Sequence, residues 1–140
     1  MSKLSFKTFC IEYYADHIHS SSEKVYELFK NEKLLDLLDS DYEDLHGMGM
    51  EYLMNFFDEY FGGKPHCGGM IMSHATIKTT IIPEIVKLIC QDRKVDEQTA
   101  LDMFYTSATG ASFADDDTGL YGQSAWFVYS LFDKEMKEKQ

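Results

Sequence analysis

Five histidines, three cysteines and a run of aspartates are the side chains best suited to chemistry in this chain. His17, His19, His46, His66 and His74 lack the paired spacing of metal ligands. His66-Cys67 lies in a glycine-rich stretch with no second pair to complete a site. Asp115-Asp116-Asp117 ahead of Gly119 lacks the alternating ligands and closing glutamate of a calcium loop, and reads as a solvated acidic turn. His46 is the sharpest candidate: it sits beside Gly47, after Asp41, Glu43 and Asp44, where Asp41 or Asp44 would complete an acid–base pair. No recognisable nucleophile or second acid–base group converges on it. The alternative is that its ring hydrogen-bonds a helix end and fixes the turn. There is no glycine-rich phosphate loop, no Gly-x-Ser-x-Gly and no His-Glu-x-x-His. The expectation is therefore no catalytic residue, no metal and no cofactor.

The elements that position these groups read as helices. At 140 residues, with 44% hydrophobic and 14% aromatic side chains, the chain suits one ordinary domain or two very small ones sharing a core. Periodicity predicts helices over 4–18, 22–30, a short turn at 34–38, and 50–61. The acidic stretch Asp39-Ser40-Asp41-Tyr42-Glu43-Asp44 reads as a connection. Gly62 to Gly69, with four glycines and Pro65, reads as a linker. Further helices are expected near 76–92, 96–106 and 125–138, with 107–118 a polar connection and the charged end fraying. Pro83 fits only in a first helical turn. Thr76 to Ile82 is β-branched, but a lone strand lacks a partner. The fold class is all-α.

A signature recurs 75 positions apart without a gap. Phe29, Leu45, Gly47, Phe57 and Asp58 reappear as Phe104, Leu120, Gly122, Phe132 and Asp133. The stripe Phe6, Cys10, Tyr13, Tyr14 corresponds to Ile81, Ile85, Leu88, Ile89, and Tyr52, Leu53, Phe56, Phe57 to Phe127, Val128, Leu131, Phe132. Helix-capping types agree as well: Ser21 with Asp96, Gly49 with Ser124. The organisation expected is a helical unit over 1–61, a Gly/Pro/Met-rich linker over 62–75, and a second, similar unit over 76–140, packed together.

Charge narrows the partners. The net charge is −11, with 5 basic and 13 acidic side chains in residues 1–61 against 8 and 11 in residues 62–140. Such a surface repels phosphate backbones, so nucleic acid is excluded and a basic protein is the natural counterpart. The absence of a long apolar run argues against a membrane. Cys10, Cys67 and Cys90 are unpatterned and read as reduced thiols in a cytoplasmic protein. Most aromatic residues sit at core spacing; Tyr13, Tyr26, Tyr60, Tyr121 and Trp126 are candidates for exposure. Met48, Met50, Met54, Met70 and Met72 cluster around the linker.

The first half carries a further likeness. The order Phe9-Cys10-Ile11-Glu12-Tyr13-Tyr14, Val25-Tyr26-Glu27-Leu28-Phe29, Leu34-Leu35-Asp36-Leu37-Leu38, Tyr42-Glu43-Asp44-Leu45-His46-Gly47 and Glu51-Tyr52 resembles a bacterial domain-of-unknown-function family, number 3791. The resemblance covers about residues 5–60. A divergent second copy is expected over 79–136, with Tyr121 in the place of His46 and Asp117 in that of Tyr42. It implies a small helical protein encoded beside a family resembling ADP-ribosyltransferase toxins, hence an antitoxin or accessory partner.

The function expected is thus a non-enzymatic protein-binding module. Asp39, Asp41, Tyr42, Asp44, His46, Asp115, Asp116, Asp117, Tyr121 and Trp126 are its candidate contact residues. A small enzyme using His46 with Asp41 or Asp44, and a structural homodimer, are the other readings.

Overall fold

In the computed structural model, which describes residues 2–62, 75–115 and 118–139, the chain is helical throughout. Among these residues there are nine α-helices and no strand: α1 (Lys3–His17), α2 (Ser22–Asn31), α3 (Leu34–Ser40), α4 (Tyr42–Leu45), α5 (Met50–Tyr60), α6 (Ala75–Arg93), α7 (Glu97–Tyr105), α8 (Ala108–Ala114) and α9 (Ala125–Glu138), with a 3-10 turn at Leu120–Gly122. No described helix is long and apolar enough to cross a membrane.

Helix starts follow local chemistry. A side-chain oxygen accepts a backbone N–H three residues on at Ser2, Ser21, Asp96, Ser107 and Ser124, so an otherwise orphaned donor is satisfied at five helix starts. Gly49 precedes α5 without a side-chain cap. The chain turns after α1 and α6 at His19 and Lys94, each in the left-handed region at φ 56°, and a third non-glycine residue, Lys33 (φ 60°), separates α2 from α3.

Packing joins the two halves. α1 makes its most extensive contact with α6, α2 touches α7 and α8, and α6 carries α7 and α9. One apolar cluster runs through all of them. It includes Phe6, Cys10, Ile11 and Tyr14 of α1, Phe29 of α2, Phe57 of α5, Ile85 and Ile89 of α6, Phe104 of α7 and Phe132 of α9. Each fully buried large apolar side chain contributes about 1.5–3 kcal/mol, so this shared cluster is the main stabilising term.

Three local expectations change. Residues 107–118 contain a helix, α8, and the acidic connection after Ser40 contains the one-turn α4. Thr76 to Ile82 is helical, as expected, but Pro83 lies in the middle of α6 rather than its first turn. Proline has no N–H to offer the Thr79 carbonyl four residues back. α9 ends at Glu138, the expected end of the last helix. The expected linker falls almost wholly outside the described residues, as do His66, Cys67, Met70, Met72 and His74.

Candidate partner-binding surface

His46 closes α4. Its backbone N–H and its ring Nδ1 both reach the Tyr42 carbonyl, at 2.9 and 2.7 Å, so the ring donates to the helix end. The imidazole also stacks on the Tyr42 ring, 4.4 Å between centroids and 11° from parallel, and Tyr42 is fixed edge-on against Phe6 of the core. Asp41 and Asp44 are exposed on either side of this turn and hydrogen-bond through no side-chain atom to His46. Asp39 is engaged by the Lys7 ammonium at 2.9 Å.

The remaining candidates lie elsewhere. Asp115 is exposed at the C-terminal end of α8; Asp116 and Asp117 lie outside the described residues. Tyr121 is half-buried in the 3-10 turn, and Trp126, 69% exposed, stands in the first turn of α9. α4 rests on α3, whereas the 3-10 turn rests on α6 and α8. The eight described candidates therefore fall into two groups, Asp39 to His46 in one and Asp115, Tyr121 and Trp126 in the other. Tyr26, expected at the surface, is fully buried, while Tyr60 is 41% exposed and Tyr13 half-buried.

The polar chemistry that the sequence did not reveal is internal. Glu12, buried on α1, accepts from the Ser22 hydroxyl at 2.8 Å and the Tyr105 hydroxyl at 2.7 Å. Tyr105 stacks on Tyr26 (4.9 Å, 20°), whose hydroxyl donates to Asp102 and accepts from Gln98. Lys30 reaches the same Asp102 oxygen at 2.5 Å. Asp58 of α5, also buried, accepts from the Tyr14 hydroxyl at 3.0 Å and lies 2.9 Å from His17 Nε2. In the second half the Tyr129 hydroxyl bonds Asp92, and Arg93 reaches Asp133 at 3.4 Å.

Electrostatics keep these hydroxyls protonated as donors. Burial pushes the Tyr105 hydroxyl well above its usual pKa, and the Glu12 carboxylate adds to the shift. Burial also raises Tyr14, Tyr26 and Tyr129, with Asp58, Asp102 and Asp92 adding to it in turn. Each tyrosine stays protonated and donates to a fixed carboxylate. Burial likewise pushes the Cys10 thiol up, and raises Cys90 with help from Glu97 and Asp96, so neither is an activated thiolate. Among the described residues no group of three or more histidine, cysteine, aspartate or glutamate side chains is placed to hold a metal.

Comparison with known proteins adds one match. Residues 5–62, spanning α1 to α5, match the model of a family described as "Protein of unknown function (DUF3791)". No curated protein and no solved structure matches the chain. The matched segment contains the Asp39–His46 surface, the buried Asp58 station and the whole of α5.

Proposed function

We propose that the chain is a non-enzymatic, cytoplasmic protein-binding module, an antitoxin-like or accessory partner of a neighbouring ADP-ribosyltransferase-like toxin. The observation that carries this reading is a charge vacancy. Between Lys33 and Lys64 the chain has no lysine or arginine. Within that stretch Asp36, Asp41, Glu43, Asp44, Glu51 and Glu59 are exposed, and no cation pairs with any of them among the described residues. Six unneutralised carboxylates over helices α3 to α5 favour a basic protein surface by long-range attraction, and repel nucleic acid and anionic lipid. The engagement of His46 with Tyr42 supports binding over acid–base catalysis at that turn. The test is a pull-down with the product of the adjacent gene and co-expression with it. A complex and rescue from toxicity are expected; neither being seen would sink the reading.

The module is read as a duplicated unit. Two helix pairs start 75 positions apart: α2 and α7 at Ser22 and Glu97, α5 and α9 at Met50 and Ala125. The left-handed residues His19 and Lys94 have the same separation and the same φ. Core positions agree too, with Cys10 and Ile85, Tyr14 and Ile89, Phe29 and Phe104, and Phe57 and Phe132 all buried. Contacts of α1 with α6 and of α2 with α7, each helix against its own counterpart, are what a fused pair with pseudo-twofold packing would make.

A further inference from the structure

Tyr52, Phe56 and Tyr60 fall at i, i+4 and i+8 and so share one edge of α5. Their spacing predicts core packing for Tyr52 and Phe56, yet Tyr52 is 52% exposed, Tyr60 41% exposed and Phe56 only half-buried. The edge is held ready in shape. Phe56 and Tyr60 stack at 6.3 Å between centroids, and the Tyr60 hydroxyl donates to the Glu32 carbonyl at 2.7 Å, which fixes that ring against the end of α2. α5 itself packs chiefly on α1.

The corresponding edge of α9 is covered only at its C-terminal end. α5 and α9 bury the same register, Leu53 and Phe57 in one, Val128 and Phe132 in the other. Counting 75 positions on, the edge of α9 is Phe127, Leu131 and Glu135. Phe127 is 47% exposed and Leu131 half-buried there, and α8 reaches only the Glu135 end, whose carboxylate accepts the backbone N–H groups of Ala108 and Thr109 at 2.9 and 2.8 Å. A straight stripe of side chains along a helix packs most closely against another helix.

Charge sets the rest of the occupant. The next row on α5, Glu51, Asn55 and Glu59, is exposed and runs alongside the aromatic edge. We propose that the Tyr52–Phe56–Tyr60 edge of α5 docks a helix of a partner protein, apolar on one side and bearing lysine or arginine beside that side. This deepens the protein-binding reading above and rests on it. Large aromatic rings supply the apolar anchors, and the flanking carboxylates select a basic helix over an acidic one.

The test titrates the full chain with a synthetic amphipathic helix of leucine and lysine, and with its leucine–glutamate twin, followed by amide NMR shifts. The lysine peptide is expected to move residues 51–60 most and the glutamate peptide to leave them in place. Tyr52→Ser is expected to weaken binding by about tenfold, as loss of an interface anchor does. Glu51→Lys with Glu59→Lys is expected to do the same, whereas Glu84→Lys with Glu138→Lys, equal in net charge, changes binding by less than about threefold. Shifts centred elsewhere, or equal effects of the two charge reversals, overturn the docking site. If the toxin-like neighbour is bound but the α5 variants bind it as well as the parent chain, only this site fails. If the chain binds neither neighbour nor peptide, the protein-binding reading fails with it.

Discussion

The buried carboxylate of Glu12 on α1 accepts a hydrogen bond from the hydroxyl of Tyr105 on α7, 2.7 Å away and 93 positions along the chain. Glu12 is 3% exposed and Tyr105 2%, so water cannot replace either partner. Removing the hydroxyl leaves a buried charged acceptor with one donor fewer. Tyr105→Phe is expected to lower stability by about 1–3 kcal/mol, seen as a fall in the urea midpoint with an unchanged m-value. An unchanged midpoint would show that the bond contributes nothing to joining the halves.

Gly110 in α8 sits where a side chain has no room. A Cβ there would lie 1.9 Å from the Phe104 carbonyl oxygen, a backbone atom that cannot swing aside. Gly110→Ala is expected to cost at least about 2 kcal/mol, by forcing α8 off α7. Gly122→Ala meets nothing within 4 Å and serves as the tolerated comparison. Equal thermal stability of the two variants would contradict the packing of α8.

Glu135 gives a pH dependence of defined sign. Burial pushes its carboxyl up, but the Lys139 ammonium, the Thr109 hydroxyl and the N–H groups of Ala108 and Thr109 outweigh this and hold it at about 2, against 4.5 for an ordinary glutamate. Its folded pKa is depressed, so its contribution is fully present above about 4.5 and lost as pH falls towards about 2. Glu135→Gln is expected to lower Tm most above that window, with the gap to the parent narrowing through it. A gap that stays constant with pH would show that Glu135 does not act as an ionised cap of α8.

Asp58 and Asp133 occupy the same place in α5 and α9 but differ in shielding. The Asp58 side chain is 1% exposed and that of Asp133 23%. Asp58→Ala removes the acceptor of the Tyr14 hydroxyl and a 2.9 Å neighbour of His17 Nε2 from the core, an expected loss of about 3 kcal/mol. Asp133→Ala, losing Arg93 and the exposed Lys137, is expected to cost about 1 kcal/mol. Urea titrations of the two variants compare them directly, and the reverse order would mean that the α5 station is not the tighter one.

The helices that bury one face were legible from the chain, the internal polar groups were not. Phe57 and Phe132 recur at core spacing and both are buried. α1 is different, because Lys7, Thr8 and Glu12 are buried alongside Phe6, Cys10 and Ile11. A helix covered on more than one side shows no clean apolar stripe, and Glu12 in isolation reads as a solvated charge. Nothing local announces Tyr105 as its partner. α8 escaped for a related reason: Ala-Thr-Gly-Ala-Ser-Phe-Ala has weak helical propensity, and its start is satisfied by Ser107 and the distant Glu135. His46 was legible as one of two alternatives, and its bond to Tyr42 is the turn-fixing one. The open edge of α5 was hidden because exposed and packed aromatics share the same spacing.

The proposed function rests on the acidic surface of α3 to α5, six of whose exposed carboxylates have no cation partner among the described residues, binding a basic protein. It is tested most directly by titrating the full chain with the purified product of the adjacent gene at low and high salt. A complex is expected whose affinity falls as salt rises, and which Glu43→Lys with Asp44→Lys weakens further. No complex at low salt, or one indifferent both to salt and to those reversals, would contradict the account.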